Sequence, residues 1–286
     1  MTDTERLRRS LLYLAPSYPE MLANYPRFPA DMFCFDLEDG TPPADKVAAR
    51  DRIAEVLRTI PDSVGRERLL RVNGLDTPWG HDDCAAAAQM PLSGVLVPKV
   101  EGAGMVRQVE AILNAAGAPQ DMRIWCLIET PMGVLRTEEI ATASPRVAGL
   151  SIGGTDLAET LHIRQTADRL GALHALSHIV LVARAHGLAI IDAVHPNYAN
   201  TDGFAESCAQ GVELGFDGKS VVLPATIATA NAAFGPNEDE IAHARAQVEA
   251  AGEAQDGYAS LHLAHARRLL AKADHIARQD ALRAAL

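Results

Sequence analysis

Short apolar runs recur along this chain, each followed by a polar cluster and then by a longer stretch rich in alanine and charge. The runs cover residues 11–14, 32–35, 69–72, 94–97, 123–128, 148–152, 189–191 and 218–223, eight in all. Between them, stretches such as 45–59, 104–116 and 172–186 place apolar residues at helical spacing. Eight strand-like runs alternating with helices predict a (β/α)₈ TIM barrel over residues 1–235. A doubly wound sheet would need a glycine-rich phosphate loop after an early strand, and the sequence has none. Residues 237–254 and 260–285 have helical periodicity, broken near Gly257, so 236–286 is expected to be a C-terminal helical extension. It either caps its own subunit or packs as an arm on a neighbouring one, since closed oligomers are common.

Composition narrows the function. A length of 286 residues suits one barrel, and 48% apolar residues can fill its core. No stretch of about 18 apolar residues is present to span a membrane. Residues 1–10 are charged throughout and lack the apolar region of a signal peptide, so a cytoplasmic location is expected. A net charge of −11 disfavours nucleic acid and anionic membrane as partners but leaves room for one phosphorylated ligand held locally. Cys34, Cys84, Cys126 and Cys208 are far apart with no CxxC, which indicates neither a zinc site nor a disulfide framework. Cys34 and Cys126 lie in apolar runs and read as buried thiols. The histidines form no HxH or HExxH pattern; His162, His174, His178 and His186 read as surface or packing residues of helices, and zinc is disfavoured.

Chemistry on such a barrel sits at the C-terminal ends of the strands. Six of the eight run ends carry ionisable groups, more than stability asks of one face: Asp36, Glu38 and Asp39; Arg71; Lys99; Glu129; Asp156; and Asp192. Glu129 and Asp156 are 27 residues apart (156 − 129), about one strand–loop–helix unit, so they belong to neighbouring strands. Two carboxylates converging there are hard oxygen ligands for Mg²⁺, with Mn²⁺ possible. Glu is a poor helix N-cap, and Pro131 already starts the next helix, which argues against a capping role for Glu129. Asp156 can cap the helix expected at 157–161, and Asp39 and Asp192 can likewise cap. Arg71 interrupts an apolar strand, where a guanidinium needs anions. Its fork suits a bidentate carboxylate, either of a substrate or of Glu38 or Glu129. Lys99 reads as an ion-pair partner of the surrounding acids, and Arg8, Arg9 and Lys46 as the nearest cations for a ligand's phosphates.

Several stretches then match one family in order: Phe35-Asp36-Leu37-Glu38-Asp39, Arg71-Val72-Asn73 with Thr77-Pro78-Trp79-Gly80, Val97-Pro98-Lys99-Val100-Glu101, Leu127-Ile128-Glu129-Thr130, Gly153-Gly154-Thr155-Asp156-Leu157 and Gly215-Phe216-Asp217-Gly218-Lys219. From about Arg9 to Ala233 the chain resembles the citrate lyase β-subunit-like branch of the HpcH/HpaI aldolase superfamily. The resemblance implies a Mg²⁺-dependent lyase that cleaves or forms a C–C bond between an acyl-CoA and an oxo acid, with malyl-, citramalyl- or citryl-CoA as typical substrates. It implies Glu129 and Asp156 as metal ligands and Arg71 as the substrate-binding arginine, with Glu129, Gly154 and Thr155 beside the substrate. Asp36, Glu38, Asp39 and Lys99 would then support the site, Asp36 and Glu38 orienting metal-bound waters. It also implies a homo-oligomer, a trimer or hexamer. Departures are Leu223 where the family often has His before Pro224-Ala225, Ala15-Pro16-Ser17 in the opening loop, and no Asp in the Gly257–His262 segment, where the family commonly has one serving the active site. His262 can substitute there, although helix packing is the role its position favours. The other readings are an aldolase acting on CoA-free hydroxy-oxo acids and a non-catalytic homologue that keeps the pocket.

Overall fold

The structure, a computed structural model, describes residues 6–61, 64–250 and 257–284. Eight strands close in chain order into one parallel barrel: β1 (Ser10–Leu14), β2 (Met32–Asp36), β3 (Glu67–Arg71), β4 (Gly94–Val97), β5 (Arg123–Ile128), β6 (Val147–Ile152), β7 (Ala189–Asp192) and β8 (Gly218–Val221). Each matches a predicted run to within two residues at either end. The largest shifts are at β8, which ends at Val221 rather than 223, and at β3, which begins at Glu67 rather than 69. Glu67 pairs in register with Met32 and is held by Arg8, so a charged residue extends a strand that apolar patterning alone would cut short.

The helices around the barrel are α1 (Pro19–Ala23), α2 (Lys46–Thr59), α3 (Gly80–Ala87), α4 (Ala103–Ala115), α5 (Pro131–Leu135), α6 (Thr137–Ala141), α7 (Gly154–Thr160), α8 (Leu173–Ala185), α9 (Thr201–Leu214) and α10 (Ile227–Ala233). The C-terminal extension consists of α11 (Glu238–Ala250) and α12 (Gly257–Ala284). The second helix thus begins at Gly257, close to the expected break and three residues before the expected start at 260. Among the described residues no helix is long and apolar enough to cross a membrane.

Strand side chains alternate between two cores. Leu12, Leu14, Phe33, Phe35 and Leu70 point outward and pack under the helices. Leu11, Met32, Cys34, Leu69, Leu96, Trp125, Leu127, Ala189 and Ile191 fill the barrel interior. Trp125 plugs the centre because Gly149 faces it: a Cβ at Gly149 would fall 2.4 Å from the indole ring. Continuing the inward alternation one step towards the C-terminal ends brings Asp36 above Cys34, Arg71 above Leu69 and Glu129 above Leu127. The same period-two pattern that builds the apolar plug therefore delivers the polar residues to its top.

The opposite face is closed by ion pairs. Arg8 bonds Glu67 (Nε–Oε2 2.5 Å, Nη2–Oε1 3.0 Å), and Arg9 grips Asp31 in a fork at 2.8 and 3.0 Å. From α12, Arg283 Nη2 reaches Asp31 Oδ1 at 2.9 Å and Ala30 O at 3.3 Å, while Lys272 Nζ donates to Phe234 O at 2.8 Å. Arg8 and Arg9 lie at the N-terminal ends of the strands, bonded to carboxylates, and so are not phosphate ligands at the mouth.

Candidate active site

Asp36 and Arg71 are register partners on β2 and β3, both facing inward. The guanidinium donates through Nε and Nη2 to the two Asp36 oxygens, each at 2.7 Å. Nη1 lies 2.7 Å from Glu38 Oε2, out of line for a hydrogen bond, and 3.5 Å from Asp39 Oδ2. Tyr13 is beneath, its ring centroid 5.2 Å from the Arg71 guanidinium carbon. Burial disfavours the Arg71 charge, but Asp36, Tyr13 and Glu38 reverse that effect and hold its pKa well above the usual value. The ion-pair partners are therefore Asp36, Glu38 and, at the edge, Asp39, not Glu129. Asp36 also accepts from the backbone N–H of Glu38 (2.9 Å) and Gly40 (3.0 Å). Its oxygens are committed to Arg71 and to the turn after β2, so its visible work is to fix the guanidinium rather than to orient waters.

Glu129 follows β5 and is buried, 2% exposed. Thr130 caps α5 by accepting from Gly133 N, and Pro131 occupies the first turn, so Glu129 is free of capping as expected. Glu129 Oε1 accepts from Lys99 N at 2.7 Å. Its carboxyl is pushed up to about 8, first by burial, then by Glu38 and Asp156, against the lowering effect of the Lys99 bond and Arg71. Gly153 leaves the space it occupies, because a Cβ there would lie 2.1 Å from Glu129 Oε2.

Asp156 is the third residue of α7, which starts at Gly154 with Gly153 at its N-cap and no side-chain capping bond. The alternative of a capping role therefore fails: the helix begins three residues earlier than 157. Asp156 Oδ1 instead lies 3.8 Å from Lys99 Nζ, which is also 3.3 Å from Glu38 Oε1. Gly154 and Thr155 form the first turn of the same helix, between Gly153 and Asp156. Lys99 ties the cluster together, its N–H on Glu129 and its ammonium between Glu38 and Asp156. Burial works against its charge, but Glu38, Glu129 and Asp156 outweigh it and raise its pKa. Its φ of 49° is left-handed, a strained backbone for a lysine. Burial also raises the Glu38 carboxyl, opposed by Arg71.

Glu38, Glu129 and Asp156 thus crowd around one half-exposed ammonium, and two of them are raised in pKa. Such a set calls for a further cation, and hard oxygens suit Mg²⁺. Among the described residues no group of three or more His, Cys, Asp or Glu forms a ready-made cage. Mg²⁺ takes one or two carboxylates and keeps its other positions for water and substrate.

Other expectations change. Lys46 is buried and donates to Leu37 O and Glu38 O, both at 2.7 Å, so it braces the β2–α2 loop and is unavailable to a phosphate. Asp39 is exposed at the rim. Asp192 caps no helix: it is fully buried, bonded by Lys219 Nζ at 2.8 Å and by Arg169 Nη1 at 2.6 and 2.9 Å. The four cysteines are buried and free, and His174 and His178 stack on each other along α8. The side chain of His262 lies outside the described residues. Tyr13 was missed by sequence reasoning, although its alternation with Leu11 put it on the inward face.

A closed parallel barrel whose mouth gathers acids and a clamped arginine defines a (β/α)₈ protein of the enzymatic kind. The chain belongs to the HpcH/HpaI aldolase/citrate lyase family, whose model matches residues 9–224. It is 39% identical over 280 residues to a (3S)-malyl-CoA thioesterase of Cereibacter sphaeroides, covering 94% of this chain and 95% of that one. It is 34% identical over 258 residues to the citrate lyase subunit beta of Leuconostoc mesenteroides, covering 88% and 85%. Among solved structures, CitE of Mycobacterium tuberculosis in complex with magnesium, acetoacetate and coenzyme A superimposes with a TM-score of 0.78 at 27% identity, over 94% of this chain and 99% of that one.

Proposed function

We propose that this chain is a Mg²⁺-dependent enzyme acting on a short 3-hydroxyacyl-CoA thioester that ends in a carboxylate, with malyl-CoA as the type. The observation that carries this reading is the juxtaposition of the Glu129–Lys99–Asp156 cluster with the buried Arg71, held in one plane by Asp36. Glu129 and Asp156 are the residues that would hold the ion. When bound, Mg²⁺ supplies Lewis-acid polarisation of substrate oxygens and charge balance for the ionised carboxylates. Arg71 binds the anionic end of the substrate or offsets the oxygen charge that develops during reaction. Lys99 keeps Glu129 in place through its N–H and screens Glu38 from Asp156. The magnesium, acetoacetate and coenzyme A named for the M. tuberculosis relative support such a ligand set.

Two bonds of such a substrate are within reach of this chemistry. In aldol cleavage the C2–C3 bond breaks: the hydroxyl proton passes to a base and the bonding pair becomes the enolate of acetyl-CoA, leaving glyoxylate. We assign the base to Glu38, which is not one of the two ion ligands. The second reading is hydrolysis of the thioester to a hydroxy acid and CoA. It is favoured by the (3S)-malyl-CoA thioesterase relatives at 38–39% identity.

Incubating the protein with Mg²⁺ and malyl-, citramalyl- or citryl-CoA separates the readings. Release of an oxo acid with a shorter acyl-CoA supports cleavage; release of free CoA with the intact hydroxy acid supports hydrolysis. Either product should vanish in a folded Glu129→Ala variant. Turnover only of CoA-free hydroxy-oxo acids, or of nothing, would overturn the acyl-CoA reading.

A further inference from the structure

A second cavity, of about 270 Å³, opens behind α7 and away from the barrel interior. It lies outside the strand wall, bounded by α7, α8, α9 and the connections 162–172 and 193–200. One wall is apolar, with Ile152, Leu157 and Leu176; the other carries Arg169, His195 and Lys219. Lys219 and Arg169 share the carboxylate of Asp192, and Arg164 and Glu206 also line the cavity, so three cations face two carboxylates and one positive charge is in surplus. Arg169 uses Nε on Gln210 and Nη1 on Asp192, while its buried Nη2 has no partner. His195 Nε2 is likewise buried without a partner. Arg169 Nη2 is a donor, and His195 Nε2 is one in the tautomer that carries its proton there; a buried polar group left unbonded costs about 1–3 kcal/mol, so the pair asks for an acceptor. The connection closing the cavity is itself strained, with His162 at φ 54° and Arg169 at φ 52°, both left-handed; strain of this kind collects at ligand clamps. The volume is several times the roughly 30 Å³ share of one water.

We propose that this cavity is a separate binding site for a short-chain monocarboxylate. Its carboxylate accepts from Arg169 Nη2 and His195 Nε2, and its alkyl chain lies along Ile152, Leu157 and Leu176. One anionic end matches the one surplus cation, and a charged second end would be buried against the apolar wall. The site is independent of the reaction at the barrel mouth, although α7 is common to both: Asp156 faces the mouth cluster and Leu157 faces the cavity.

The test is calorimetric titration of the full-length protein with hexanoate, hexan-1-ol and succinate, together with the NMR signals of the His195 ring. Hexanoate should bind one per chain and shift those signals. The alcohol and the dicarboxylate should each bind at least about tenfold more weakly, the scale of one lost charge-assisted hydrogen bond. His195→Phe, which removes the donor but keeps a ring, and Leu176→Phe, which narrows the cavity, should each weaken hexanoate by about tenfold or more. Arg169→Gln should do the same; if loss of the Asp192 contact prevents its folding, the other two variants decide. No binding at millimolar hexanoate, equal affinity for hexan-1-ol, or unchanged affinity in His195→Phe and Leu176→Phe would overturn the proposal. None of these readouts uses catalysis, so failure here leaves the reading of the barrel mouth intact.

Discussion

Arg71 is set in place by the protein before any ligand contributes: two hydrogen bonds to Asp36 fix the plane of the guanidinium, and Tyr13 supports its face. A lysine at this position could hold one Asp36 oxygen but could not keep the plane. Arg71→Lys should therefore lower kcat/KM on malyl-CoA by well over tenfold, about 1.4 kcal/mol or more of transition-state stabilisation. Steady-state rates compared with the far-UV spectrum of the variant check this, and a wild-type rate would remove Arg71 from the mechanism. Gly153 offers a complementary probe of Glu129. Its φ of −92° is open to any residue, so only space is at issue. A methyl group there would overlap Glu129 Oε2 and push the carboxylate aside, at an overpacking cost of about 1–3 kcal/mol. Gly153→Ala is expected to raise the Mg²⁺ dissociation constant by about tenfold or more in calorimetric titration while the barrel stays folded. Undiminished affinity would mean that Glu129 does not hold the ion.

At the scale of elements, the parts legible in the sequence were those written in alternation. The eight runs announced the strands, and the polar residue after each run marked the mouth, because inward positions repeat every second residue and the last of them emerges above the apolar plug. Partner choice was not legible. Nothing in the sequence says that Arg71 takes Asp36 rather than Glu129, since that depends on register between β2 and β3. Nor does it say that Arg8, Arg9 and Lys46 are spent on Glu67, Asp31 and backbone carbonyls, or that Asp192 is buried with Lys219. The clamp at Asp31 is the clearest such case, because it joins β1, the segment before β2 and the end of α12. Burial alone would raise the Asp31 carboxyl, but the bonds from Arg9 and Arg283 hold it below the ordinary value. A depressed carboxylate stabilises the fold above the unfolded value, near 3.9, and that contribution is lost as pH falls through the lower folded value. Asp31→Asn leaves buried guanidinium groups without their counter-charge and should cost about 3–5 kcal/mol at neutral pH. Urea unfolding of wild type and variant should show that gap at pH 7, narrowing once Asp31 is protonated in the folded wild-type protein; a gap independent of pH would locate its origin elsewhere than in the carboxylate charge.

On the scale of the whole molecule, α11 and α12 are underpacked for their length. The 28 residues of α12 span about 42 Å at 1.5 Å per residue. Among the described side chains of the two helices only Ala244 and Ala266 are buried, and α12 reaches its own barrel through Lys272 and Arg283. An alanine from each helix supplies little apolar burial to offset the ordering of some forty residues. For a pair of helices with so little covered surface among the described side chains we propose a further contact, and another copy of the same barrel is the partner the family resemblance implies. The chain is therefore expected to sediment at three or six times its 30.5 kDa mass. Removing residues 237–286 should shift sedimentation to the mass of a single shortened chain while the barrel keeps its circular dichroism. A full-length protein that runs as a monomer at micromolar concentration would show that α11 and α12 need no neighbour, and an oligomer that survives the truncation would place the subunit contacts on the barrel itself.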